Sequence, residues 1–151
     1  MMPFNEDPPI AIRSGLPQDV PFVMDTFLYG LHKSSPYNFI PNAIYFPFQS
    51  QLISKLLQTS TLTVATIEDD SETILGYALT EPYTSNNLIL HWAHTKAVFR
   101  NQGIQKALFK HLSNNEPMNL VCSHFFPLFP KLRQKYCLIY DPTILQGINE
   151  K

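Results

Sequence analysis

The sequence predicts an α+β domain: a mixed, mostly antiparallel central sheet flanked by helices, with a β-α-β segment in its second half. Three observations carry that expectation. Two strand-like runs, LTVATI (62–67) and ILGYALT (74–80), flank the polar turn EDDSET, the pattern of a β-hairpin. A third run, NLILHWAHT (87–95), leads into a segment whose apolar residues Ile104, Ala107, Leu108 and Leu112 recur at helical spacing. A further short strand, MNLVCS (118–123), follows that helix. The hydrophobic period thus runs 2, then 3.6, then 2 again, as a strand–helix–strand unit requires.

The elements follow in order. Residues 1–9 read as an acidic, proline-containing tail, and IAIRSG (10–15) as the first strand. Pro17 opens a helix whose apolar positions are Val20, Val23, Met24, Phe27, Leu28 and Leu31. Residues 32–47 hold Pro36, Pro41 and Pro47 among Tyr37, Phe39, Tyr45 and Phe46, a composition that predicts an ordered loop. A second helix is expected over 48–58, with Leu52 and Leu56 inward. After the hairpin, the third strand and its helix come MNLVCS, a weaker helical candidate over 125–135, and a last strand, YCLIY (136–140).

A chain of 151 residues suits one domain spanning the whole length. No apolar run approaches the roughly 20 residues of a membrane span, and no membrane partner is expected. The N-terminus lacks the basic-then-apolar order of a secretory signal, which predicts a cytoplasmic protein. Cys122 and Cys137 are too few for a disulfide framework, and no metal site is expected. Net charge is only −1, yet seven basic residues against the single acid Glu116 fall between Lys96 and Lys135. That asymmetry would focus an anionic ligand on one half of the molecule; equally it fits a solvated basic helix face. Nothing in the sequence marks an oligomeric interface.

The segment HWAHTKAVFRNQGIQKALFKHL (91–112) carries the chemistry. A strand that turns through a glycine into a helix leaves the helix's first backbone N–H groups without partners. Such a terminus favours a phosphate or pyrophosphate. Gly103 lies in the first turn, where a missing side chain lets a ligand approach the backbone, and Arg100 and Lys106 flank it.

VFRNQGIQKALFKHL (98–112) resembles the acyl-CoA-binding segment of the Gcn5-related N-acetyltransferase (GNAT) superfamily, whose signature is Arg/Gln-x-x-Gly-x-Gly/Ala. The order of elements resembles that fold over roughly residues 10 to 142. The resemblance implies an acyl-CoA-dependent N-acyltransferase that moves an acetyl or related group from CoA to an amine. It places the pantetheine-binding strand at Ala93, His94 and Thr95, and the pyrophosphate loop at Arg100, Asn101, Gln102, Gly103, Ile104, Gln105 and Lys106. Gln105 departs from the family's Gly or Ala, and its long side chain would crowd the pyrophosphate.

Acyl transfer needs a base for the attacking amine, an acid for the departing thiolate, and a donor for the oxyanion. Family members often carry a Glu on the central strand; His91 stands at about that position, and an imidazole is a fitting substitute. It also reads as a packed strand residue. His94, three residues on, falls on the opposite face of a regular strand. FPKL (129–132) puts Phe129 where the family's general-acid Tyr stands. CSHFF (122–126) puts Ser123 and His124 where the fold opens its sheet, so His91, Ser123 and His124 are the candidate catalytic residues. Tyr37 and Tyr45 are the candidate acceptor-binding residues, although aromatics in a long loop also simply cover the core.

The pieces HWAHTK, FRNQGI and SH further resemble phage-encoded members of the superfamily, some of which are associated with nucleobase modification. Two other readings therefore stand beside acyl transfer to an amine. One is a nucleic-acid-modifying enzyme on the same fold, for which the basic region would suit a polyanion. The other is a noncatalytic CoA- or ligand-binding module.

Overall fold

The structure is a computed structural model and describes residues 9–34, 37–84, 87–96, 103–113, 119–124, 137–141 and 144. Its strands are β1 (Ile10–Ser14), β2 (Thr61–Ile67), β3 (Asp70–Thr84), β4 (Asn87–Thr95), β5 (Asn119–Cys122) and β6 (Cys137–Tyr140). Its helices are α1 (Val20–His32), α2 (Asn42–Thr59) and α3 (Ile104–Ser113). The strands form one six-stranded sheet in the order β1-β2-β3-β4-β5-β6. β1 to β4 pair antiparallel, whereas β4–β5 and β5–β6 pair parallel. This is the mixed, mostly antiparallel α+β architecture expected, with β4-α3-β5 as the crossover unit.

Both the 3-10 turn Pro17–Asp19 and α1 follow from the proline and the apolar spacing after it. Val23, Phe27, Leu28 and Leu31 are buried at steps of four, one and three residues, whereas Val20 stays exposed. Arg13 on β1 locks the turn: its guanidinium donates to both carboxylate oxygens of Asp19, at 2.7 and 2.9 Å. Asp19 also accepts the Leu16 N–H at 2.7 Å.

α2 begins six residues earlier than the sequence predicts and runs through Pro47. A proline inside a helix forfeits one backbone hydrogen bond, which is why the periodicity argued for a start after it. The helix persists because Tyr45, before the proline, continues the buried stripe of Gln49, Ile53 and Leu56. The loop expected over 32–47 is correspondingly shorter, and Tyr45 belongs to the helix.

The main core lies between the sheet and the α1/α2 layer, around Phe27, Leu31, Tyr45, Ile53, Tyr77, Leu79, Leu90 and Trp92. Phe27 stacks on Trp92 with centroids 4.7 Å apart and planes 13° apart. A smaller cluster of Ala65, Leu75, Ile104 and Leu108 seats α3 on the sheet. Gly76 permits that seat: a Cβ there would lie 2.6 Å from the His94 carbonyl oxygen and 3.0 Å from Ile104. A side chain on β3 would push the end of β4 and the start of α3 apart. The helical candidate at 125–135 lies outside the described residues.

Candidate active site

Two irregularities of β4 build the site. Leu79 pairs with Trp92 but Thr80 pairs with Leu90, so His91 is the extra residue of a β-bulge, a feature that re-aims a side chain. On the other side, the parallel β4–β5 ladder ends at Leu90–Cys122. Ser123 N–H still donates to the Leu90 carbonyl at 3.2 Å, while β4 continues to Thr95 against Gly76 of β3. The bulge and the end of the β5 ladder coincide.

At that point four side chains join end to end. Glu81 Oε1 lies 3.0 Å from His91 Nε2. His91 Nδ1 lies 2.7 Å from Ser123 Oγ, and Ser123 Oγ lies 2.8 Å from His124 Nδ1. His91, Ser123 and His124 are buried to 1% exposure or less, whereas the Glu81 side chain keeps 14%. Glu81 Oε1 also receives the Ser60 hydroxyl at 3.0 Å and the Thr59 hydroxyl at 3.4 Å. At the other end the His124 ring meets Phe27 edge-on at 5.3 Å and Tyr37 at 6.5 Å.

Burial lowers the pKa of both imidazoles. For His91 the Glu81 hydrogen bond and charge work against that shift. For His124, burial first and the neighbouring His91 second push the value down to about 3. An unfolded histidine titrates near 6.5, so below about that pH the unfolded chain binds more protons than the folded one. Stability from these groups is therefore complete above about pH 6.5 and falls as pH drops toward about 3. Denaturant midpoints should decline from about pH 7 to about pH 4.5, with a shallower decline in a His124→Asn variant. An equal decline in both proteins would remove His124 as the cause. Asp19 acts in a lower window: its pKa is depressed by the Arg13 hydrogen bond, and its contribution goes only below about pH 4.

Of the residues expected to hold a cofactor, Ala93, His94 and Thr95 form the end of β4. Gly103 adopts φ 76° just before α3, and its carbonyl accepts the Ala107 N–H at 2.9 Å. A Cβ placed on Gly103 meets nothing within 4 Å. The Ile104 side chain is buried in the α3 cluster, so only its backbone suits a ligand. Lys106 is exposed. The Gln105 amide folds back and donates to Thr95 Oγ1 at 2.7 Å, leaving its Oε1 buried without a hydrogen bond. Arg100, Asn101 and Gln102 lie outside the described residues, as do Phe129 and most of the basic stretch.

The structure brings His91, Ser123 and His124 together but separates His94 from them. The His94 ring packs against Phe22 at 5.8 Å and Tyr77 at 5.6 Å. Tyr37 is half-buried beside His124, whereas Tyr45 is 1% exposed. Tyr45 donates its hydroxyl to the Leu28 carbonyl at 2.5 Å and stacks on His32, so it stands behind this region as core. Glu81 was missing from the sequence-based candidates. Glu81 pairs with Ile89 of β4 beside the bulge at His91, and sequence alone does not give that pairing register. Among the described residues no three His, Cys, Asp or Glu side chains gather as a metal site, and no helix is long and apolar enough to cross a membrane.

No family model matches the sequence, and no curated protein matches it. Solved structures do. A Pyrococcus furiosus protein provisionally named an acetyl transferase is 14% identical, over 83% of this chain and 91% of its own, with a TM-score of 0.59. A predicted acetyltransferase from Clostridium acetobutylicum, solved with acetyl-CoA, is 15% identical, over 83% of this chain and 87% of its own, with a TM-score of 0.56. A GNAT-family protein from Desulfovibrio desulfuricans is 20% identical over 70% of this chain and 64% of its own; its TM-score of 0.47 adds no weight. Taken with the β4-α3-β5 crossover and the sheet order, the first two likenesses give this chain a GNAT-like α+β fold, shared with those two structures.

Proposed function

We propose that this protein is an acyl-CoA-dependent N-acyltransferase that carries an acetyl or related acyl group to an amine. The observation that supports it most is the coincidence at one point of the sheet: the β4–β5 ladder ends where the buried His91–Ser123–His124 chain sits.

The residues present fit an acyl-CoA. The open, positive-φ Gly103 precedes the ten-residue α3, whose first N–H groups suit a diphosphate. In this reading Gly103 to Lys106, together with Arg100, Asn101 and Gln102, hold the pyrophosphate, and the backbone of Ala93, His94 and Thr95 holds the pantetheine arm. Bound acyl-CoA supplies a thioester carbonyl as electrophile and a thiolate as leaving group. The chain's own contribution is proton handling. A neutral His124 takes the proton of the attacking amine, with Ser123 and His91 behind it. Tyr37, beside His124, borders the acceptor, and Tyr45 supports that wall from the core.

Calorimetric titration with acetyl-CoA tests the reading. Saturable binding that a His124→Asn variant retains supports it, and no heat at millimolar acetyl-CoA removes it.

A further inference from the structure

We infer that Glu81, His91, Ser123 and His124 form a polar proton relay with a fixed direction, in which His124 Nε2 is the inner, proton-accepting end and Glu81 the far end that holds the proton. The functional use of this relay rests on the acyl-transfer reading; its polarity does not.

The direction follows from the hydrogen-bonding capacity of each group. Two polar groups, His91 Nε2 and Ser60 Oγ, meet the single oxygen Oε1 of Glu81 at 3.0 Å each, with the Thr59 hydroxyl at 3.4 Å but nearer the Lys55 carbonyl at 3.1 Å, an arrangement that suits an ionised carboxylate, which only accepts. His91 Nε2–H must therefore donate. A neutral imidazole has one donor and one acceptor nitrogen, so His91 Nδ1 accepts, and its partner Ser123 donates its hydroxyl. With that proton committed, Ser123 Oγ offers only a lone pair to the second ring, and His124 Nδ1–H donates to it. The remaining nitrogen, His124 Nε2, then carries a lone pair, in a ring that meets Phe27 edge-on at 5.3 Å and lies 6.5 Å from Tyr37. With Glu81 accepting, reversing either the His91–Ser123 or the Ser123–His124 bond would need His91 as an imidazolium in a pocket exposed to 1% or less, where burial opposes charge.

Proton passage then balances at every atom. An ammonium N–H bond breaks and a bond to His124 Nε2 forms; His124 Nδ1–H passes to Ser123 Oγ. The Ser123 hydroxyl proton passes to His91 Nδ1, and His91 Nε2–H passes to Glu81 Oε1. The amine is left neutral and Glu81 protonated, with every hydrogen bond inverted; the chain resets when His124 Nε2–H is handed to the departing thiolate and each proton steps back, Glu81 returning its own to His91 Nε2. No imidazolium accumulates, so a histidine whose burial disfavours charge can still serve as a base. Glu81, His91 and Ser123 are positioning residues here, acting through His124.

The test needs no substrate. Two-bond ¹⁵N–¹H correlation spectra of the histidine rings, at about neutral pH, report which nitrogen of each ring is protonated. The expected result is His91 protonated on Nε2 only and His124 on Nδ1 only. His124 protonated on Nε2, or either ring doubly protonated, overturns the relay. In a Ser123→Ala variant His91 should keep its form while His124 loses its preference for Nδ1–H; an unchanged His124 means that Ser123 does not transmit the polarity and also overturns it. If that variant fails to fold, the wild-type spectrum decides alone. Wrong tautomers with intact acetyl-CoA binding sink the relay and spare acyl transfer. Correct tautomers without acetyl-CoA binding do the reverse.

Discussion

Replacing His124 by asparagine is expected to lower the rate of acyl transfer by about 10²- to 10⁴-fold, the usual contribution of a positioned general base, while leaving acyl-CoA affinity unchanged. Asparagine is the informative choice because its amide can take the place of Nδ1 and keep the bond to Ser123 Oγ, now 2.8 Å, yet it offers nothing at the Nε2 position. A structural role and a chemical role therefore separate. The measurement is thiol release from acetyl-CoA in the presence of amine acceptors, alongside a thermal melt. A folded variant with wild-type turnover would place the base elsewhere. A variant that merely loses stability, with turnover per folded molecule intact, would return His124 to the core.

The second large effect is on stability. Phe27→Ala removes a fully buried ring that stacks on Trp92 and meets His124 edge-on. Loss of a buried phenylalanine costs about 3–5 kcal/mol, because the transferred surface and the cavity add. For a chain of this size that lowers Tm by about 6–20 °C. Denaturant unfolding should show the midpoint falling with an unchanged slope. A loss below about 1 kcal/mol, the range of a surface change, would mean that α1 does not pack on the sheet through this ring. Phe27→Leu, which keeps most of the apolar volume, should recover much of the difference.

Most strands were legible because each is apolar and bounded by turn residues, although β3 spans Asp70–Thr84 where the sequence predicts only 74–80. NLILHWAHT gives β4 from Asn87 to Thr95 without adjustment, and the Glu68–Asp69 turn of the hairpin lies within EDDSET. α3 was legible from its apolar stripe and runs from Ile104 to Ser113. α2 was not, because local proline chemistry and tertiary burial give opposite answers at Pro47 and burial decides.

The candidate site divides the same way. Ser123 and His124 were found by their place after β5, a topological argument that survives any uncertainty in register. The link to His91 was not legible, because on a regular strand His91 would simply alternate with its neighbours. The β3–β4 register, with Glu81 opposite Ile89 and a bulge at His91, sets Glu81, ten residues away in sequence, against the His91 ring. Gln105 likewise read as an obstacle to a diphosphate, since sequence shows a side chain's length but not its direction. Its amide instead ties the start of α3 to Thr95 at the end of β4.

What all of this turns on is where an acyl-CoA would settle, and backbone amide shifts during titration with acetyl-CoA locate it most directly. The largest changes are expected to cluster at Ala93, His94 and Thr95 and at Gly103 to Lys106, with smaller ones at Ser123 and His124. Shifts confined to other surfaces, or a spectrum that acetyl-CoA leaves unmoved, would contradict it.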